Sequence, residues 1–271
     1  MSTLVCFHAH PDDETTGTAG TMALAAQEGH RVVLVVATRG ERGEPTPGVL
    51  AEGEPLWERR ITEAFESARI LGVSRVEFLG YVDSGMMGES DNDYPYSFWQ
   101  ADVERAARRL AVILDEEKAD LLTVYDDFGG YGHPDHIQVH RVGMRAAELA
   151  GTPRVLQGTM NQDAIKRSIA EVSAQMAEAG IEPPEGAPTQ QDLDTTTFGK
   201  PERELTHAID LTSLIELKKA AMRAHRSQIA EDSWFLSMDD DSFLKGFGTE
   251  WFIDAQRPRP EGAPFLTSIW N

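Results

Sequence analysis

Residues 8–14 read HAHPDDE, two imidazoles and three consecutive carboxylic acids within seven positions. Burying so many titratable groups together is costly unless a cation or a reaction gathers them. A second cluster, YGHPDH at 131–136, repeats the His-Pro-Asp element. His10 and Asp13 stand three apart at a turn stiffened by Pro11, which lacks a backbone donor. Two imidazoles and a carboxylate suit a divalent transition metal, and an open fourth position is the pattern of catalytic zinc. Taken singly, His10 reads as a hydrogen-bonded strand-end histidine, and Asp12 with Asp13 as a helix N-cap pair. The matching distant cluster favours the metal. His8, two residues before His10, could serve as a third ligand but reads more readily as a packing residue or a support for the ligands.

The elements that must hold these clusters show in the hydrophobic pattern. Strands are expected at 4–8, 31–37, 76–81, 121–126 and 155–159, with helical spacing over 18–28, 61–71, 103–114 and 136–150. Such alternation predicts an α/β fold, a Rossmann-like, mostly parallel sheet with helices on both faces and a C-terminal extension packed on it. HAHPDDE, TRGERG, GYVDSG and DDFGGYGHPDH each follow a predicted strand. Ligands in such folds sit beyond the carboxyl ends of the strands, at a switch in strand order. Residues 1–271 are expected to form one domain: a core over 1–160, a Pro- and acid-rich surface excursion at about 180–205, and C-terminal elements over 206–271. The last part should hold a short strand in THAIDL, a helix from about Ser213 to Ser227, and the apolar EWFI.

Composition narrows the function. A net charge of −20 argues against nucleic acid and against anionic membrane surfaces, and favours a neutral or cationic ligand. No apolar run reaches a bilayer-spanning length, and MSTLVCFHAHPDDE lacks the basic start of a signal peptide. The single cysteine, Cys6, lies in an apolar run, reads as a buried inert thiol, and fits a reducing cytoplasm.

HAHPDDE, TRGERG and YGHPDH together resemble the LmbE-like, or PIG-L, family of metal-dependent N-deacetylases. Within it, GYVDSGM at 80–86 and GGYGHPDH at 129–136 are similar to the actinobacterial enzymes of mycothiol metabolism. The resemblance spans roughly residues 4–160, and AHRSQ at 224–228 shares it. It implies a zinc-dependent hydrolase, with iron(II) admissible in the same site. The substrate implied is a small N-acylated aminosugar of the N-acetylglucosaminyl-inositol kind.

The resemblance further implies His10, Asp13 and His136 as metal ligands and Asp12 as the general base on the attacking water. Tyr131 would stabilise the oxyanion. His133, if protonated, would stabilise the intermediate or protonate the departing amine. Asp135 would orient that imidazole and raise its pKa, or else cap the helix starting at His136. Arg60, in R-x-x-E, would face the substrate, with Arg59 its competitor. Asp83 would bind sugar hydroxyls or merely form a turn. Glu14 and the Gly40–Gly43 loop would shape the substrate pocket. His225 reads as a structural residue within a helical run. The resemblance is also in keeping with a homo-oligomer, although no interface is legible.

Family members that cleave mycothiol conjugates tend to carry a lysine where this chain has Gly17, so deacetylation of an N-acetylglucosamine-type sugar is favoured over conjugate amidase activity, with deacetylation of a natural-product glycoside as a further alternative. Two histidines and a carboxylate also make the facial triad of non-haem iron oxygenases, but those need a jelly-roll pattern. A phosphohydrolase would need more cations near the clusters. A non-catalytic sugar-binding module would lack a ligand or the base, and here all four residues are present.

Overall fold

The computed structural model describes residues 1–178 and 197–271. Its elements run β1 (Thr3–His8), α1 (Asp13–Gly17), α2 (Ala19–Gln27), β2 (Arg31–Thr38), α3 (Leu56–Leu71), β3 (Arg75–Tyr81), α4 (Val103–Glu117), β4 (Leu121–Tyr125), α5 (Pro134–Ala150), β5 (Arg154–Thr159), α6 (Gln162–Glu178), β6 (His207–Asp210), α7 (Ile215–Ala224), α8 (Asp240–Phe247) and β7 (Thr249–Ile253).

The seven strands form one sheet in the order β3-β2-β1-β4-β5-β7-β6. β1 to β5 are mutually parallel, while β7 runs antiparallel to both β5 and β6. The central strands are β-branched and buried on both faces, RVVLVVAT of β2 most plainly. Successive β1 residues serve opposite layers: Val5 and Phe7 pack with α4 and α5 residues such as Leu110 and Val142, Leu4 and Cys6 with Met22 and Ala221 of α2 and α7. This is the two-layered α/β class that the alternation predicts.

Strand order reverses at β1. From it the chain proceeds to β2 and β3 on one side, and β4 and β5 lie on the other. The loops after β1 and β4 therefore border the same crevice, the switch point where such sheets bind ligands. Helix α5 opens on Pro134 at its first position and closes on Gly151 in the left-handed region (φ 65°).

The structure adds to or departs from the expectations at three points. The C-terminal extension does more than pack on the sheet: β6 and β7 lengthen it, and α7 lies against α2 and α3. Helix α6 has no counterpart in the sequence expectations, and it buries none of its residues. The α5 cap is His133, whose side chain accepts the Asp135 amide, so the helix starts at Pro134 and Asp135 lies in its first turn. Most of the 180–205 excursion lies outside the described residues. Among the described residues no helix is long and apolar enough to cross a membrane.

Candidate metal centre and active site

His10, Asp13 and His136 converge at the switch point, with ligand atoms all within 4.8 Å of one another. Asp13 lies between the imidazoles, Oδ2 3.3 Å from His10 Nδ1 and Oδ1 3.3 Å from His136 Nε2. His136 Nδ1 is 3.2 Å from the Gly129 carbonyl, which can only accept, so Nδ1 carries the proton and Nε2 the lone pair. That buried Nε2 has no hydrogen-bond partner among the described residues. His10 Nε2 likewise meets the Asp135 carboxylate at 3.1 Å, which turns the Nδ1 lone pair of the neutral ring toward Asp13. Outer partners that fix both tautomers this way are the usual support of metal-ligating histidines, and the three residues fit a divalent ion. A second group, His10, Asp83 and His133, is equally close. It fits less well: His133 Nδ1 accepts the Asp135 amide at 3.1 Å, so the neutral ring presents an N–H, not a lone pair, on Nε2.

The surrounding field favours positive charge. Burial opposes protonation of His10, yet Asp83, Asp13 and Asp135 raise its pKa well above the usual value. Burial would raise Asp13, but the two histidines overcome it and hold this carboxyl well below the ordinary range. Its neighbour Asp12 goes the other way. Burial, with the Asp13 charge adding to it and Arg60 opposing, pushes Asp12 up to about 6. Two adjacent carboxyls are thus driven apart, one toward the charged form and one toward holding a proton near neutrality.

Tyr131 stands half-exposed over the centre, its ring 5.1 Å from that of His136 and 6.4 Å from that of His133. Desolvation first and Asp13 second raise its pKa, so the phenol stays a proton donor. Asp83 is buried, with Oδ1 3.5 Å from His10 Nε2 and accepting the Gly85 amide at 2.9 Å, while Oδ2 accepts the Arg42 amide at 3.2 Å. It is both turn-former and site residue. His8 supports and does not ligate: Nδ1 meets the Tyr125 hydroxyl at 2.9 Å and Nε2 the Thr18 hydroxyl at 2.7 Å.

The structure gives several of these residues contacts other than those the resemblance implies. The Asp135 carboxylate holds His10, not His133, and is itself held by the Ser84 amide (2.9 Å) and hydroxyl. Burial first, then His10 and His136, lower His133 to about 4, outweighing the Asp135 charge, which does raise it as expected, and the imidazole Nδ1 is already an acceptor. It is a neutral Nε2–H donor. Glu14 is fully buried and takes the Asp12 amide (2.9 Å), the Ser67 hydroxyl (2.6 Å) and His225 Nε2 (2.6 Å), so it cannot line a substrate pocket. Burial would raise Glu14, but His225 outweighs it and lowers the carboxyl. Arg60 is also buried, its guanidinium on the Pro11 carbonyl (2.5 Å), the Gly40 carbonyl (2.9 Å) and Asp12 Oδ2 (3.3 Å), leaving it no free face for substrate. Gly40 and Gly43 make room for it, since a Cβ at either would lie within 2.5 Å of the guanidinium. Arg59 points outward to Glu54. His225 sits just past the end of α7 rather than within a helix.

Sequence reasoning missed Tyr125, whose ring stacks on His136 at 4.2 Å and 8°. It also missed Ser84, and Asp126, which accepts the Phe128 and Gly130 amides and shapes the Gly129 loop. Tyr125 ends β4, Asp126 follows it, and Ser84 follows β3 within GYVDSG, so position at strand ends was the available signal.

A family model described as GlcNAc-PI de-N-acetylase, PIG-L, matches residues 5–147. Over 262 residues the chain is 39% identical to a 1D-myo-inositol 2-acetamido-2-deoxy-alpha-D-glucopyranoside deacetylase of Acidothermus cellulolyticus, covering 93% of this chain and 88% of that protein. A protein of the same name from Thermobifida fusca is 40% identical over 279 residues, covering 96% and 95%. Among solved structures, N,N'-diacetylchitobiose deacetylase from Pyrococcus horikoshii superposes with a TM-score of 0.59 at 24% identity, over 93% of this chain and 82% of that one. The 4-carboxy-2-hydroxymuconate hydratase GalB of Pseudomonas putida shares the fold with a TM-score of 0.57 at 19% identity, over 97% and 100%. One architecture thus hosts different chemistries, and the site has to decide between them.

Proposed function

The chain belongs to the PIG-L family of de-N-acetylases, and from that premise we propose that it hydrolyses the acetamide of an N-acetylglucosaminyl-inositol, the substrate that names its relatives. The convergence of His10, Asp13 and His136 within 4.8 Å, beside Asp12, carries the reading. These three residues would hold Zn2+, or Fe2+ in the same place, and the bound ion would supply Lewis-acid activation of water and of the amide carbonyl. Asp12, pushed up to about 6, takes the proton of the attacking water and returns it to the departing amine nitrogen. Tyr131 and the neutral Nε2–H of His133 donate to the carbonyl oxygen as negative charge builds there. Asp135, fixed by Ser84, orients His10. Asp83, at the rim, accepts from sugar hydroxyls.

Gly17, standing where conjugate-cleaving family members tend to carry a lysine, supports deacetylation over conjugate cleavage. The single buried Cys6 is in keeping with a cytoplasmic setting. The test is acetate release from N-acetylglucosaminyl-inositol by zinc-loaded protein. Wild-type protein should turn over, and Asp12→Asn should lose about 10²- to 10⁴-fold in kcat. An Asp12→Asn protein at the wild-type rate would remove Asp12 from the chemistry.

A further inference from the structure

Asp12 has φ 98° and ψ −31°, outside the regions that side-chain-bearing residues ordinarily occupy. Lys118, the other non-glycine residue with positive φ among the described residues, sits in the ordinary left-handed well that ends α4. A conformation such as that of Asp12 persists only when its surroundings over-determine it. Here the constraint is visible. The peptide unit between Pro11 and Asp12 is gripped at both ends by buried charged side chains. Its carbonyl accepts from Arg60 Nη2 at 2.5 Å, and its N–H donates to Glu14 Oε2 at 2.9 Å. Turning that peptide plane is the motion that would relax φ at Asp12 and re-aim its carboxylate.

Glu14 is held in turn from two distant elements. Its Oε1 accepts the Ser67 hydroxyl of α3 at 2.6 Å and His225 Nε2, beyond α7, at 2.6 Å. Glu14, Ser67 and His225 are all fully buried. His225 Nδ1 has no hydrogen-bond partner among the described residues, so Glu14 is the polar contact this imidazole serves. Leaving a buried ring nitrogen unpaired is costly, and an apolar residue of similar shape would avoid that cost. A histidine kept for packing alone has no reason to be there.

We propose that the Glu14–His225 pair is a positioning device that locks the Pro11–Asp12 peptide and so aims Asp12, a role resting on the reading of Asp12 as proton carrier. The C-terminal third of the chain thereby completes a loop that begins at residue 9.

The test is a mutant cycle on zinc-loaded protein, with acetate release from N-acetylglucosaminyl-inositol as one readout and amide exchange at Asp12 as another. Glu14→Gln and His225→Ala should each lower kcat about 10²-fold, the scale of a misplaced reacting group, with KM within about twofold and bound zinc unchanged. In an Asp12→Asn background the same changes should cost less than about threefold more, because residues that act as a unit are not additive. His225→Gln, which restores an N–H donor, should recover most of the loss. Asp12 amide protection should fall in Glu14→Gln. Wild-type kcat in both variants, full additivity with Asp12→Asn, or unchanged Asp12 amide protection would each overturn the proposal. If Asp12→Asn itself turned over normally, the reading of Asp12 would fall, and the exchange measurement would still decide whether the clamp exists. Should His225→Ala not fold, Ser67→Ala removes the other donor to the same oxygen and is expected to lower kcat in the same way.

Discussion

Adjacent residues in this chain carry the same functional group and opposite assignments. Asp13 is driven low by two imidazoles, whereas burial and the Asp13 charge push Asp12 up to about 6. The proposed division into ligand and proton carrier thus rests on environment alone. Tyr131 makes its contribution at the same scale. It is half-exposed and needed only where the carbonyl oxygen becomes negative, so Tyr131→Phe should lower kcat by about 10²-fold with little change in bound zinc. Turnover near the wild-type rate would leave this ring as a cover over the centre. His8, His10, His133, His136 and His225 all fall within or just behind the site, and their hydrogen bonds separate the proposed ligands and donor from the supports. Their identities alone could not.

The elements act by aiming these groups. The loop after β4 turns through Gly129 at φ 66°, and a Cβ there would lie 2.6 Å from His136 Cβ. Gly129 also supplies the carbonyl that fixes the His136 tautomer. Gly129→Ala is therefore expected to weaken zinc affinity about 10- to 100-fold, the usual cost of losing an outer partner. A metal titration with no change in affinity would show that the loop tolerates the shift. At the far edge of the sheet, β6 holds a different kind of titrating group. Burial first and Arg154 second lower His207 to about 4. Between about pH 6.5 and 4 the unfolded chain takes up a proton that the folded one refuses, so stability falls as pH drops through that window, by roughly 3 kcal/mol at most. Equilibrium unfolding at pH 7 and pH 5 checks this: His207→Gln should shrink the loss seen in wild type.

At the scale of the whole molecule, the N-terminal core and the C-terminal elements are joined through the interior. Lys218 of α7 is buried against Glu250 of β7 at 2.9 Å, and Glu250 also accepts the Gly20 and Thr21 amides at the start of α2. We propose that residues 1–271 fold as one unit for this reason. Lys218→Ala, which strands a buried carboxylate, should cost about 3 kcal/mol, the lower end for a broken buried pair because two amides remain. It should lower a single unfolding transition; two separate transitions would refute the single unit. The surface carries the other whole-molecule property, a net charge of −20, which suits a neutral sugar substrate better than a polyanion.

The sequence by itself determined the α/β class, the strands of the parallel core to within a residue or two, and the two clusters that meet at the switch point. Strand runs and helical spacing are local patterns, and a ligand cluster placed after a strand follows from topology. Which partner each polar group meets became legible only in the folded chain. Asp135 turns to His10, Arg60 and Glu14 grip the two ends of one peptide, and His225 arrives from 211 residues away. Such pairings depend on packing between elements remote in the chain, and neither periodicity nor spacing encodes them.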